Sequence, residues 1–423
     1  MSVLRSPQAQ VLLDDASIEP DTIRFCRSHL TSFLDRYLPL FYRKEQGDNA
    51  EVVLKGLLSD LERKTCEPIA RREGVQRKPI QFFVGTGKWD DEAVMAEYRL
   101  HVAQEFGDPY GVLIIDPSAF PKKGIHSCGV KRQWCGRLGK IENCQVGVFL
   151  SYATNRGCAF LDRRLFLPED WAEDPSRRKK THVPPDVVFR TKWQIALDML
   201  DAHASEIPHA WIIADEDFGR TAEFRSQLRA RCERYILDVP CDTSIRDLEV
   251  RRPPRRRRGV GRMKETPFRR VDEWLKRQPP SRWERFRVSD GEKGPLEVQA
   301  MAVRVRTLHE EKIGDEERLL VIRTMEDVPR IRFALSNAER EVPLAELVRV
   351  ACQRHRIEEL FEVAKGEAGL DEYEVRSWVG WHHHITLSML ALWFLTLERR
   401  RLGGKNPGSH GSTNAKPLLA TAS

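Results

Sequence analysis

Two aspartates in this chain directly follow short apolar runs. Asp116 comes after Val-Leu-Ile-Ile at 112–115, and Asp215 comes after Trp-Ile-Ile-Ala at 211–214. Runs of this kind are typical of strands that are buried on both faces. Ligands of open α/β sheets bind outside the carboxyl ends of the strands, so both aspartates are candidates for catalysis. A single aspartate at such a place is more often a turn former, and the pair therefore carries more weight than either residue alone.

A third acidic candidate, Glu358, lies in a segment whose apolar spacing predicts one long helix over 343–365. Arg354, Glu358, Phe361 and Lys365 are spaced so that they share one face of that helix. Charges on one helix face are often only solvated, or paired at positions i and i+4. The mixture of charge with an aromatic side chain also fits a position at a domain seam, where Glu358 would join the two aspartates.

The elements that must position these residues change type along the chain. Up to about residue 105 the apolar spacing predicts helices, including one over 52–61 after a Gly-Asp-Asn turn at 47–49. Thr191 and Gln194 form a capping-box pattern that predicts a later helix start. Buried strands are predicted at 112–115, 145–152, 159–167, 211–214 and 235–239. Three strands followed by alternating helices and strands predict an α/β sheet.

The alternation of predicted strands and helices ends after residue 240. Partial alternation predicts strands at 296–307, 318–324 and 331–336, and the helix over 343–365 is expected to end at Gly366 or Gly369. We therefore expect five regions: a helical N-terminal domain over 1–105, the first part of the core over 106–240, a β-rich insertion over 241–340, the completion of the core over 341–398 and a disordered tail over 399–423.

Two short motifs suggest other chemistries but are better explained by structure. Gly-Thr-Gly-Lys at 85–88 resembles a phosphate-binding loop, but it lacks the earlier glycine and Trp89 replaces the required Ser or Thr. It therefore predicts a turn before a helix that starts at Asp90. Three consecutive histidines at 382–384 fit a helix start better than a zinc site.

The composition fits an intracellular globular protein. Hydrophobic residues make up 41% and charged residues 31%, with 70 Lys and Arg against 63 Asp and Glu, for a net charge of +7. The densest basic run, at 251–258, suits a polyanion, although a solvated loop explains it equally well. Nine cysteines without a C-x-x-C pair favour neither a disulfide framework nor zinc. The longest apolar run, at 385–397, is too short to span a bilayer, and no secretory signal is recognised. We expect a cytoplasmic, nucleoid-associated protein without a membrane partner.

The blocks around the three acids resemble those of a known family. Asp-Pro-Ser-Ala-Phe-Pro-Lys-Lys-Gly at 116–124 and Ala-Asp-Glu-Asp-Phe-Gly at 214–219 resemble the first and second aspartate blocks of bacterial insertion-sequence DDE transposases. Arg354, Glu358 and Lys365 match the family's Y-R-E-K signature, with Ala351 in place of the tyrosine. The resemblance covers roughly residues 80–395, in the same order. It implies a ribonuclease H-like core with a β-rich insertion between the second aspartate and the glutamate.

By this resemblance, Asp116, Asp215 and Glu358 are the catalytic residues and hold Mg²⁺, for which Mn²⁺ is expected to substitute. Carboxylate oxygens suit these hard ions, and a pair of ions can serve both ends of an in-line phosphoryl displacement. Further basic residues are expected to contact DNA phosphates. These residues are Arg354, Lys365, Lys122, Lys123, Arg132, Arg255, Arg256, Arg257 and Arg258.

The resemblance implies metal-dependent cleavage and strand transfer at transposon ends. The expected partners are double-stranded DNA, as terminal inverted repeats and as target, and a second copy of the chain in a DNA-bound homodimer. Base reading is expected from the N-terminal helices. Two alternatives stay open at this point: a transposase-derived DNA-binding regulator without catalysis, and a hydrolytic nuclease that never joins strands.

Overall fold

The computed structural model describes residues 20–250, 266–291 and 294–403, with side chains described from residue 25 onward except at 289–296. In these ranges, helices cover the N-terminal and C-terminal parts of the chain, and all twelve strands belong to one sheet. The basic run at 251–258 and residues 404–423, most of the predicted tail, lie outside the described residues.

The N-terminal part consists of five helices. Their bounds are α1 Pro20–Tyr37, α2 Lys44–Leu57, α3 Cys66–Arg72, α4 Arg77–Gly85 and α5 Asp91–Phe106. The predicted turn at 47–49 is wrong, because it lies inside α2. That helix buries Ala50, Val53 and Leu57, and this burial outweighs the low helix propensity of the Gly-Asp-Asn triplet. The predicted helix start is confirmed, since the Asp90 side chain accepts from the backbone N–H groups of the next turn.

Five strands form the half of the sheet that carries the aspartates, with a sixth, β4, at its side. The strands are β1 Val112–Pro121, β2 Lys131–Cys135, β3 Lys140–Thr154, β4 Gly157–Leu165, β5 Trp211–Ala214 and β6 Tyr235–Val239. The strand order is β2-β3-β1-β5-β6, and β4 pairs with β3. The pairs β1–β5 and β5–β6 are parallel, whereas β1–β3 and β3–β4 are antiparallel. The predicted mixed α/β sheet is confirmed in this part.

Helices connect these strands and cover the sheet. They are α6 Glu169–Ala172, α7 Pro175–Thr181, α8 Lys192–His203, α9 Glu216–Gly219 and α10 Ala222–Ala230. The predicted capping box at the start of α8 is confirmed: the Thr191 hydroxyl accepts from the Gln194 N–H, and the Gln194 amide oxygen accepts from the Thr191 N–H at 2.9 Å.

Residues 244–336 extend the same sheet with antiparallel strands. The strands are β7 Ser244–Asp247, β8 Arg269–Arg270, β9 Glu284–Gly291, β10 Gly294–His309, β11 Lys312–Thr324 and β12 Ile331–Ser336, and the short helix α11 Val271–Leu275 lies between β8 and β9. The strand β12 joins this part to β6. The three predicted strands are present, and β7, β8 and β9 were not predicted. The β-rich segment therefore continues the sheet of the aspartates.

Three helices complete the described chain: α12 Leu344–Ala351, α13 His355–Glu367 and α14 Trp378–Arg401. The prediction of one helix over 343–365 is wrong, since a 3-10 turn at Cys352–Arg354 separates α12 from α13. Gly366 is not the cap because α13 continues through Glu367. Gly369 follows it with a φ of +64°, a conformation that favours glycine.

The helix α14 forms the centre of the C-terminal part. It is apolar on all sides and almost wholly buried, as expected of a core helix, and it packs on β4, α2, α4 and α5. The histidines at 382–384 lie in its first turns, as predicted, and each donates a ring N–H to a backbone carbonyl oxygen. The expected tail start at 399 is wrong, because α14 continues to Arg401. No helix within the described ranges combines the length and apolarity needed to cross a membrane.

Candidate active site

The parallel pairing of β1 and β5 brings the two aspartates together. Their register ends at Ile115 opposite Ala214, so Asp116 and Asp215 are the next residues on neighbouring strands, at the same edge. Asp116 is not at a strand end as predicted, because β1 continues to Pro121 through its pairing with β3. Asp215 ends β5 and caps α9, where its Oδ1 accepts from the Asp217 N–H at 3.0 Å.

The break between α12 and α13 positions the glutamate. Arg354 ends the 3-10 turn and Glu358 lies one helical turn further, and the Arg354 Nη1 donates to the Glu358 Oε1 at 3.0 Å. The Glu358 side chain is 58% exposed, whereas that of Arg354 is only 22% exposed. The i, i+4 pair that the sequence left as one alternative is thus present, and it is located at the mouth of the site.

Lys365 points toward the same strand as Asp116. Its Nζ donates to the Ser118 hydroxyl at 2.9 Å and lies 5.7 Å and 5.4 Å from the ring centroids of Phe120 and Phe361. Burial is the main cause that lowers the pKa of Lys365 below its usual value. The lysine therefore provides a positive charge held at a fixed place beside β1.

One open cavity of about 970 Å³ unites these residues. Its lining includes all three predicted acids and two of the predicted basic residues: Asp116, Asp215, Glu358, Arg354 and Lys365. Residues 99 and 143 positions apart in the sequence thus share one cavity.

The two aspartates Asp116 and Asp215 resist ionisation. Burial raises the pKa of Asp116 to about 8, and the neighbouring carboxylate of Asp215 adds to this effect. Burial also raises the pKa of Asp215 to about 6, with Asp217 as the second cause. Within the described part of the chain no hydrogen-bond donor contacts the Asp116 carboxyl group. A buried acid without donors is stabilised in its charged form only by a nearby cation.

The donor set suits a divalent cation, although the acids do not surround a common point. Carboxylate oxygens are the ligands that Mg²⁺ and Mn²⁺ prefer, and like charges held this close call for a cation between them. Among the described residues, however, no three acidic, histidine or cysteine side chains stand close enough to enclose a metal ion. The donor chemistry of these residues suits such an ion, and the carboxylate of Glu358, the third predicted ligand, is paired with Arg354.

Asp238, on β6, was not among the predicted site residues, and its carboxylate forms an ion pair with Arg354. Its carboxylate accepts from the Arg332 Nη2, 2.9 Å from each oxygen, and lies 3.4 Å from the Arg354 Nε. Gly219 allows α9 to approach β6 closely, since a Cβ there would lie 1.9 Å from the Asp238 carbonyl oxygen. The signal was available: Asp238 follows a short apolar run, as Asp116 and Asp215 do.

Lys122, Lys123 and Arg132, which were also predicted to contact DNA, do not line this cavity. The Lys122 Nζ donates to the Tyr373 carbonyl at 3.2 Å and lies 3.3 Å from the centroid of that ring. Its pKa is lowered to about 8, chiefly by burial. Lys123 and Arg132 are exposed. Arg255, Arg256, Arg257 and Arg258 lie outside the described residues.

Several cavity residues were not predicted. They include Trp134 and Arg137 of the hairpin between β2 and β3, Lys192 and Asp217, which pair at 3.1 Å, and Asp371. The hairpin had no strong strand pattern, and Asp371 lies in a connection between helices, so long-range packing rather than local sequence brings them here.

The sequence of the chain matches one established family over residues 36–304, more than half of its length. That family is described as the DDE superfamily endonucleases. The chain belongs to this family. The matched segment of this DDE superfamily endonuclease contains Asp116 and Asp215 and ends before Glu358.

A curated relative is similar over a shorter segment. The chain is 39% identical over 97 residues to a probable transposase for insertion sequence element IS701 from Microchaete diplosiphon. This segment is 22% of the chain and 25% of the relative, so the match spans about a quarter of the relative's length. The DDE endonuclease described here is therefore similar to an insertion-sequence transposase in one part of its sequence.

Proposed function

We propose that this DDE endonuclease is a transposase that cuts DNA at the ends of a mobile element and joins the freed strand to target DNA. The observation that carries the proposal is the cavity in which Asp116, Asp215 and Glu358 meet from two neighbouring strands and a distant helix. Family membership supports the endonuclease part, and the similarity to a probable insertion-sequence transposase supports the transposition part.

The order of the strands supports a ribonuclease H-like core. Three antiparallel strands, β4, β3 and β1, are followed by the parallel strands β5 and β6, with the first aspartate on the central strand. The acid from α13 completes the constellation after a long β-rich segment, as the Y-R-E-K group of DDE transposases implies. We further propose the division into an N-terminal helical domain over 1–105, a core over 106–240 and 341–398, and an insertion over 241–340.

We propose that Asp116, Asp215 and Glu358 hold Mg²⁺, or Mn²⁺ in its place. When bound, these ions activate the attacking hydroxyl group and stabilise the leaving oxygen of the phosphodiester. The rigid pairing of β1 with β5 keeps the two aspartates in place, so little reorganisation is needed at that edge. Arg354 and Lys365 present positive charge to the phosphates beside the cut, with Asp238 and Ser118 as their respective supports.

The proposed partner is double-stranded DNA, as inverted repeats at the element's ends and as target, bound by a homodimer. Lys123, Arg132 and the run that contains Arg255–Arg258 would add contacts to the phosphate backbone, and the N-terminal helices would read bases. If about six phosphates are neutralised, DNA affinity falls roughly a thousandfold between 50 and 200 mM salt.

The test is cleavage of DNA that carries the sequences flanking the reading frame, with Mg²⁺ or Mn²⁺ and a target plasmid. Asp116→Asn, Asp215→Asn and Glu358→Gln are each expected to lower the cleavage rate by about a thousandfold or more, because each removes a ligand charge. Asp217→Asn and Glu362→Gln are matched controls, since both residues line the same cavity and neither is a proposed ligand.

Each outcome of this assay separates the proposal from an alternative. Joined products indicate a transposase, and cleavage without joining indicates a hydrolytic nuclease. DNA binding without cleavage by the wild-type chain indicates a regulator derived from a transposase. Cleavage that survives all three ligand substitutions contradicts the assignment of the site.

A further inference from the structure

One side of the cavity is formed by a hairpin that exposes an unpartnered tryptophan. The strands β2 and β3 pair over 131–144 and are joined by a 3-10 turn at Gly136–Leu138. Trp134 and its cross-strand partner Ile141 are 60% and 59% exposed. Single exposed apolar residues are common, but two large ones facing each other across a hairpin at a cavity form an apolar patch on its rim.

Trp134 differs from the other nine tryptophans, none of which is exposed. Buried Trp89, Trp171 and Trp274 donate their indole N–H to Phe83, Val130 and Asp247, respectively. In the part of the chain that the structure describes, the Trp134 indole makes no hydrogen bond, aromatic contact or cation–π contact. The ring therefore contributes little to the fold and is available to a ligand.

The hairpin is fixed over the cavity of the carboxylates. Trp134, Gly136 and Arg137 line the same cavity as Asp116 and Asp215. The Arg137 side chain donates to the Asp371 carboxylate, which lies in the connection between α13 and α14. The ring is thus held by a paired strand and a cross-cavity ion pair, and it is not on a freely moving loop.

The surroundings of the ring combine basic side chains with an apolar face. Arg132 precedes Trp134 by two residues and lies on the same face of β2, and Arg137, Lys192, Arg354 and Lys365 line the cavity together with its acids. A nucleic acid strand combines phosphates with base faces that stack on aromatic side chains. Neither an apolar peptide nor a small anion accounts for both features.

We propose that Trp134 is a stacking platform for an unpaired base of the DNA strand at the cavity. This inference rests on the proposed function for the identity of DNA as the ligand. An unpaired base exposes its face at little cost, whereas a base inside a duplex is already stacked on its neighbours. The platform therefore favours DNA with a frayed or single-stranded terminus over a blunt duplex.

The experiment compares two probes in EDTA, so that no cleavage occurs. One is a 20-base-pair duplex with a short single-stranded extension whose first unpaired base is 2-aminopurine, and the other is the same duplex with blunt ends. The wild-type chain is expected to bind the extended probe more tightly and to quench its fluorescence. Trp134→Ala is expected to weaken binding of the extended probe by about 5- to 150-fold and to abolish the quenching, with blunt-duplex binding changed less than about twofold.

Two further variants keep the test decisive. Trp134→Phe retains an aromatic face and is expected to restore most of the preference and the quenching. Tyr110→Ala is the matched control, because Tyr110 is 74% exposed and precedes β1 at the end opposite to Asp116. Thermal unfolding of each variant verifies that the fold is retained.

The proposal is overturned if Trp134→Ala binds and quenches the extended probe as the wild type does. It is equally overturned if Trp134→Ala changes only the sedimentation of the free chain, which would make the patch a contact between copies. Because the assay contains no metal, its result is independent of the cleavage test: the platform can fail while the carboxylates are confirmed, and the reverse also holds.

Discussion

Two acids on β1 and β4, the strands that both pair with β3, have opposite environments. Asp162 on β4 is fully buried and lies 3.0 Å from the Arg164 Nε and 3.4 Å from both the Arg163 Nη1 and the His203 Nε2. Burial alone would raise the pKa of Asp162, but these three partners together hold it well below its usual range. Asp116 on β1 has no such donors, and its pKa is raised to about 8.

Asp162 stabilises the fold, whereas Asp116 is available to a ligand. The partners of Asp162 also bind α5 and α14, since Arg163 donates to Asp91 and to the Thr386 hydroxyl. Asp116 faces an open cavity and other acids. A buried carboxylate whose charge is already compensated stabilises packing, whereas an uncompensated one at a strand edge is stabilised by a cation that arrives later.

The largest expected effect breaks the compensated cluster. Asp162→Ala removes a fully buried carboxylate that pairs with buried Arg163 and with half-exposed Arg164, and we expect a loss of about 3–5 kcal/mol in the free energy of unfolding. Urea unfolding measures this change. Asp116→Ala serves as the comparison and is expected to lose much less; equal losses for the two variants would show that both acids are structural.

A smaller effect is expected at Asp238, which is part of an ion pair within the fold and also supports a residue of the cavity. This carboxylate is itself compensated by Arg332, yet it supports Arg354 at the cavity. We expect Asp238→Asn to lower the cleavage rate by about 10- to 100-fold, as loss of a supporting partner commonly does.

A double-mutant cycle tests whether Asp238 affects the cleavage rate through Arg354. If Asp238 acts through Arg354, then Asp238→Asn lowers the cleavage rate little further in a chain that already carries Arg354→Ala. Asp201→Asn is the matched control, because that carboxylate holds Arg231 at 2.6 Å and 2.7 Å on the surface. Fully additive losses for Asp238 and Arg354 would contradict the support role.

A further effect concerns stability as a function of pH. With its pKa raised, Asp116 keeps a proton in the folded chain that the unfolded chain releases above about pH 4. The free energy of unfolding of the metal-free protein therefore falls as the pH rises from about 4 to about 8. Asp116→Asn is expected to remove this loss and to be more stable than the wild type at pH 8 by at least about 1 kcal/mol. Parallel pH profiles for the two proteins would contradict the raised pKa.

Local patterns in the sequence predicted the elements that carry the aspartates. The strands that precede Asp116 and Asp215 are continuous apolar runs, and their parallel pairing follows from alternation with helices. The Thr191 capping box is likewise a local signal. The sequence was sufficient to predict an element when its burial pattern and its hydrogen bonds involve residues only a few positions apart.

The features that the sequence did not predict depend on contacts between residues that are far apart in the chain. No glycine or proline marks the break at Cys352–Arg354, and it coincides with the anchoring of Arg354 by Asp238, more than a hundred positions earlier. The hairpin of Trp134 mixes charged, polar and apolar residues without a regular alternation, and its pairing with β3 sets which side of the sheet each residue faces. The meeting of Glu358 with the two aspartates was suggested by the helix face and was specified by the resemblance to the DDE family.

The central claim is that Asp116, Asp215 and Glu358 together hold the metal ions, and Mn²⁺ binding tests it most directly. Free Mn²⁺ is measured by electron paramagnetic resonance in the presence of duplex DNA, with Asp217→Asn and Glu362→Gln as controls from the same cavity. We expect the wild type and both controls to bind Mn²⁺, and Asp116→Asn, Asp215→Asn and Glu358→Gln each to weaken binding by about tenfold or more. Unchanged Mn²⁺ affinity in all three ligand variants would contradict the account.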